Sequence, residues 1–117
     1  MTGKIRKVAA VAAIILIGLA LSPPAQAERQ GPVFVVPLTG DIDSALPASM
    51  KLAFADASKA QARLIILNID TFGGLVDASD RIKTIIYDSS IPVYAYVKKA
   101  ISGGAYVSLA CDRIYMH

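Results

Sequence analysis

The run Leu64-Ile65-Ile66-Leu67-Asn68-Ile69-Asp70 constrains this chain more than any other stretch. It is short, β-branched and apolar on both alternating sets of positions, the pattern of a strand with both faces covered, as in a parallel α/β sheet. The sequence around it has the same grammar. Pro32 to Leu38, Val93 to Val97 and Ile114 to Met116 read as further strands. Stretches of helical period separate them. Leu46, Met50, Ala53, Phe54 and Ala57 make one stripe, with Lys51, Asp56 and Lys59 off it toward water. Leu75, Ala78, Ile82, Ile85 and Ile86 make a second stripe, and Gly103 to Cys111 a short third helix. Asp43 or Ser44 caps the first helix, and Pro47 is tolerated in its first turn. Thr39 to Asp41, Thr71 to Gly74 and Lys98 to Ser102 read as turns or loops. The order β-α-β-α-β-α-β implies an α/β fold, a parallel sheet with right-handed β-α-β crossovers.

A separate segment precedes this pattern. Lys4, Arg6 and Lys7 form a basic head, Val8 to Leu21 an unbroken apolar run, and Ala25-Gln26-Ala27 a small-x-small cleavage site. That is the layout of a secretory signal peptide. The apolar run is 14 residues long, short of the ~20 that cross a bilayer as a helix. Residues 1–27 are therefore expected to be a leader, with a permanent membrane anchor as the alternative, and 28–117 a single small domain. The leader also explains the charge. The chain has 12 Lys+Arg against 9 Asp+Glu, but three of the basic residues belong to the leader, so the remainder is neutral. With no basic stripe and no interleaved aromatics, nucleic-acid binding is excluded. Cys111 and His117 are the only cysteine and histidine. No disulfide within the chain and no metal cluster can be built from them, and no cofactor is expected. Cys111 reads as a small buried hydrophobe.

In parallel sheets ligands bind beyond the carboxyl ends of the strands, so two strand-to-helix turns carry the chemical interest. In Asp70-Thr71-Phe72-Gly73-Gly74, two glycines allow positive φ and close approach to main-chain N–H groups. The helix that follows adds partial positive charge. Such a turn suits a carboxylate, a phosphate or a developing oxyanion, or it is simply a helix start. In Ala100-Ile101-Ser102-Gly103-Gly104-Ala105, a serine leads a helix directly after a buried strand. Taken alone, that serine reads first as an N-cap. The other reading is a hydroxyl exposed at the sheet edge, with the Gly103 N–H aimed where a tetrahedral intermediate carries its charge. Both turns belong to the same edge.

Three segments, LIILNIDTFGGLVD (64–77), IPVYAYV (91–97) and AISGGAYVSLACDRIYM (100–116), resemble the Clp-class serine proteases, and more narrowly their membrane-associated NfeD branch. The resemblance implies the Clp/crotonase fold and acyl transfer to peptide bonds. It places Ser102 at the nucleophile, Gly74 and Gly103 at the oxyanion hole, and Gly73 and Leu75 at the turn and groove that bind substrate. It further implies substrates among apolar segments of membrane proteins, a stomatin-like membrane partner and a homo-oligomer in the full-length family. Together with the leader, it implies export through the bacterial inner membrane, to a periplasmic or membrane-associated location.

The sequence departs from the family pattern in two places. Phe72 stands where a proline commonly precedes the glycine pair. The general base, a downstream lysine in the NfeD branch and a histidine in soluble Clp proteases, is not found. No lysine follows Ser102, and His117 comes too early for the histidine. A serine hydroxyl needs a neighbour to take its proton, and Lys98 and Lys99 read as solvated. Because Arg113 to His117 reads as a strand just beginning, the domain is expected to be truncated and inactive alone. Two alternatives stay open. One is a non-catalytic fragment or binding module of the same fold. The other is a crotonase-type acyl-CoA enzyme, which uses paired amides but needs no serine and does not act outside the cytoplasm or organelles.

Overall fold

Each of the four expected strands is present in the computed structural model, which describes residues 30–117. The leader expected over residues 1–27 lies outside the described residues. The elements are β1 (Val33–Ile42), α1 (Leu46–Lys59), β2 (Leu64–Gly74), α2 (Val76–Tyr87), β3 (Val93–Ala100), α3 (Gly103–Leu109) and β4 (Arg113–Met116). All four strands are parallel and lie side by side in chain order.

Register follows from burial. Val36, Leu67, Ala95 and Ile114 form one cross-strand row, and Leu38, Ile69, Val97 and Met116 the next. The first three members of each row are buried, because slipping any strand by one residue would turn its apolar set outward. Right-handed crossovers that always step the same way bring the three helices to one side. There Met50, Phe54 and Ala57 of α1, Ala78, Ile82 and Ile86 of α2, and Val107 of α3 complete the core.

That connectivity corrects one expectation. The strands are not covered on both faces among the described residues. The face away from the helices carries Val35, which is 63% exposed, and half-buried Ile66, Asn68, Tyr94 and Tyr96. The apolar character of β2 on both sides is real, but the described helices lie on one side only.

The strands also run further than expected. β1 continues through Thr39-Gly40-Asp41, with a register shift there and Gly40 at φ 77°. The extra residue of this bulge is on β2, where Thr71 and Phe72 face the single Gly40, and glycine adopts the required dihedral without a Cβ clash. β2 continues through both glycines, and β3 through Lys98 to Ala100, because neighbouring backbone goes on pairing with them. At the start of α1, Asp43 does the capping expected of Asp43 or Ser44. Its Oδ1 accepts from the N–H of Ala45 at 3.0 Å and of Leu46 at 2.9 Å. α3 stops at Leu109, two residues early. Asp112 then ties the exit from α3 to the start of β3, its N–H donating to the Val93 carbonyl at 2.8 Å and its Oδ2 accepting from the Val93 N–H at 2.7 Å.

Candidate functional site

The last residues of β2 meet the first residues of α3. Gly73 has φ 104°, and a Cβ on it would lie 2.8 Å from the Ile101 carbonyl oxygen and 2.9 Å from the Ser102 Cβ. Real side chains do not tolerate such contacts, so glycine is required twice over, by dihedral and by space. Gly74 is in the same position toward β1: a Cβ there would strike the Ile42 backbone, with the Ile42 nitrogen at 2.7 Å. The Leu75 N–H donates to the Ile42 carbonyl at 2.8 Å. Alternation along an extended strand then directs the preceding amide, that of Gly74, to the opposite edge, where Ser102 lies.

Ser102 links β3 to α3 with φ 51° and ψ −118°. An L-residue in this region carries strain of about 1–3 kcal/mol, held in place by its surroundings. Those surroundings are identifiable. The Ile101 N–H donates to the Thr71 carbonyl at 3.2 Å, the Gly104 N–H to the Ile101 carbonyl at 2.9 Å, and the Tyr106 N–H to the Ser102 carbonyl at 3.1 Å. Gly103 packs against the Ser79 hydroxyl and the Ile42 Cδ1, and Gly104 against the Thr71 methyl, each with no room for a Cβ. The N-cap reading of Ser102 does not hold, because its side chain makes no capping hydrogen bond. Its dihedrals are not those of a capping residue, which sits in the β region. The residue is exposed. The Gly103 amide occupies the first helical position, where no intrahelical acceptor exists.

Thr71 and Ser79 complete the arrangement, and neither stands out in the sequence. Thr71 is 1% exposed. Its hydroxyl donates to the Gly40 carbonyl and accepts from the Gly73 N–H at 2.9 Å. Ser79 donates to the Leu75 carbonyl at 2.9 Å, one turn back along α2. One clue to Thr71 does exist: it is the one polar residue in the buried set Ile65, Leu67, Ile69, Thr71.

The other candidates fall elsewhere. Lys98 is exposed. Lys99 lies 3.6 Å from Asp70 Oδ1 and 4.1 Å from the centre of the Phe72 ring, so its charge is already engaged. His117 stands edge-on to Tyr96 at the end of β4. Burial, helped by the charge of Asp112, pushes the Cys111 thiol up to about 12, the state of an inert cysteine. Asp77 pairs with Arg81 across one turn of α2 at 2.5 Å. Among the described residues no group of His, Cys, Asp and Glu could hold a metal. A depression of about 380 Å³ lined by Gln30, Ser58, Gln61, Ala62 and Ile91 sits at the amino ends of β2 and β3, the wrong edge for this chemistry. Leu75, by contrast, is 54% exposed beside Gly74, and Phe72 and Ile101 are exposed around it.

The family model for the NfeD1b, N-terminal domain matches residues 32–117. The chain belongs to this family. Membrane protein NfeD1b of Bacillus subtilis (strain 168) is 42% identical over 102 residues, which are 86% of this chain and 23% of that protein. The chain therefore spans about a quarter of its curated relative's length. Among solved structures, it is similar to the 1510-N membrane-bound stomatin-specific protease in a serine-to-alanine variant, at 32% identity and TM-score 0.70. The match covers 74% of this chain and 44% of that one. A lysine-to-alanine variant in complex with a substrate peptide matches at TM-score 0.69 and the same identity, covering 74% and 41%. The same protease from Pyrococcus horikoshii matches at TM-score 0.67. A ClpP1 variant from Listeria monocytogenes, 20% identical at TM-score 0.63, shares the fold. The chain is thus a Clp-protease-like α/β unit. No helix among its described residues is long and apolar enough to cross a membrane.

Proposed function

We propose that this NfeD1b domain carries the nucleophile and oxyanion hole of a serine endopeptidase. Ser102 is the nucleophile, the Gly74 and Gly103 amides receive the oxyanion, and Gly73 and Leu75 bound the substrate groove. The observation behind this is the state of Ser102: strained, uncapped, exposed and pressed against Gly73. A strained serine between a strand and a helix is how other hydrolase folds lift a nucleophilic hydroxyl clear of the sheet. An acyl-CoA enzyme would need the two amides but no such serine.

In the reaction, Ser102 Oγ attacks the scissile carbonyl carbon and its proton passes to a base. The tetrahedral oxygen accepts from the Gly74 and Gly103 N–H groups. Gly73 is not the donor, since its N–H is already held by Thr71. Collapse expels the amine, which takes up a proton, and water releases the acyl group from Ser102. The base this reading calls for is a lysine, in keeping with the lysine-to-alanine relative that holds a substrate peptide, and no lysine follows Ser102 among these 117 residues. Exposed Phe72, Leu75 and Ile101 favour an apolar peptide, such as a segment of a membrane protein. A stomatin-like partner and a membrane-associated location agree with the relatives' names, and an extracytoplasmic location would follow from the leader expected over residues 1–27.

The test is an apolar peptide boronate added to the full chain in mild detergent, with the adduct followed by boron and nitrogen NMR. The expected result is a tetrahedral boron on Ser102, shifted Gly74 and Gly103 amides, and loss of both signals in Ser102→Ala. Ordinary amide substrates are expected to remain uncleaved by these 117 residues alone, which hold no lysine after Ser102. A boronate that ignores Ser102, or adds to it with both glycine amides unmoved, overturns the reading.

A further inference from the structure

We infer that Thr71 is the positioning residue that sets the oxyanion hole, an inference that rests on Ser102 being the nucleophile. Four separate contacts converge on it. Its hydroxyl gives its single proton to the carbonyl of Gly40, at the register shift of β1. The same oxygen takes the Gly73 N–H at 2.9 Å. Its carbonyl takes the Ile101 N–H at 3.2 Å, one residue before Ser102. Its methyl carbon stands 2.5 Å from where a Gly104 Cβ would be, filling the space against the first turn of α3.

One side chain thus fastens β1, the glycine pair and the serine elbow together. The consequence for chemistry is selective. A peptide chain with two adjacent glycines has many dihedrals open to it, and either amide could turn toward the site. Holding the Gly73 N–H on Thr71 Oγ1 fixes the plane between Phe72 and Gly73. The next N–H, that of Gly74, is then the one directed at the serine side. Backbone donors stabilise an oxyanion only when aimed before the charge develops, and the hydroxyl of Thr71 does the aiming. The methyl alone cannot: it packs, but it takes no hydrogen bond. Thr71 touches neither substrate nor the reacting atoms, so its effect is carried by Gly73 and Gly74.

The two halves of the side chain separate by substitution. Thr71→Val keeps the shape and loses the hydroxyl, while Thr71→Ser keeps the hydroxyl and loses the methyl. In the full chain with the peptide boronate, Thr71→Val is expected to weaken the Ser102 adduct about ten- to a hundredfold and to shift the free Gly74 amide resonance. Thr71→Ser is expected to stay within about threefold of the parent. Equal affinity in Thr71→Val with an unmoved Gly74 resonance overturns the inference. Equal losses in both variants do so as well, since that pattern marks packing alone. A parent chain that forms no adduct overturns the nucleophile reading itself, and this inference with it. Hydrogen exchange in the parent reads the same point should Thr71→Val fail to fold. Gly73 is expected to be protected and Gly74 to exchange fast until boronate binds, and a Gly73 amide that exchanges as fast as Gly74 sinks the proposal.

Discussion

At the end of β1 the chain passes into α1 through Asp43, whose carboxylate accepts two backbone N–H groups, with Ala45 at an ordinary φ of −88° and ψ of −27°. At the end of β3 it passes into α3 through Ser102, at φ 51° and ψ −118°, with no capping bond from the side chain. Both junctions do the same job, turning a strand into a helix on the same side of one sheet. The first does it with local hydrogen bonds, and any neighbouring structure would serve. The second is held in an unfavourable conformation by distant residues, Thr71, Gly73 and Ser79, and leaves its polar side chain idle. A fold that needed only a helix start would have used the simpler device. Strain without local benefit is the observation on which the proposed site at the second junction rests.

The contrast is easiest to break at Gly73. Gly73→Val puts a branched side chain onto the Ile101 carbonyl and Ser102 Cβ. The cost is expected to be about 3 kcal/mol or more, seen as a large fall in the thermal midpoint and complete loss of the boronate adduct. A variant that melts like the parent would mean the two turns do not touch. Ser102 gives the next largest effect, with the opposite sign. Ser102→Gly removes the strain and is expected to be more stable than Ser102→Ala by about 1–2 kcal/mol in chemical denaturation, while both lose the adduct. Equal stability of the two variants would show that the elbow is not strained. The smallest effect belongs to the first junction. Asp43→Ala is expected to cost about 1 kcal/mol and to leave boronate affinity unchanged, with Asp43→Asn near the parent. A change in affinity there would couple the two junctions and weaken the contrast.

Much of this is legible from the residues. The parallel sheet follows from Leu64 to Asp70, the helices from their stripes, and the pairing of the two glycine-flanked turns from the rule that βα loops share an edge. What escapes shares one physical character: it depends on partners far along the chain. Thr39 to Asp41 looks like a turn because Gly40 is there, and only the bond from Thr71 and pairing with Gly73 keep it in the strand. Ser102 looks like a cap because most serines before helices are caps, and only its dihedrals and the missing capping bond show otherwise. The two-sided apolar pattern of β2 suggests two covering layers, whereas strand order decides which side the helices take. That order is a property of the whole chain and not of any window within it.

The strand order has a temporal consequence. Each strand lies beside its predecessor, so spatial order across the sheet repeats the order of synthesis. Thr71 and the glycine pair arrive with the second unit and Ser102 only with the third. A nascent chain that has just completed α2 therefore already holds the Gly74 amide, while the Ser102 hydroxyl and the Gly103 amide proposed to act with it are still to come.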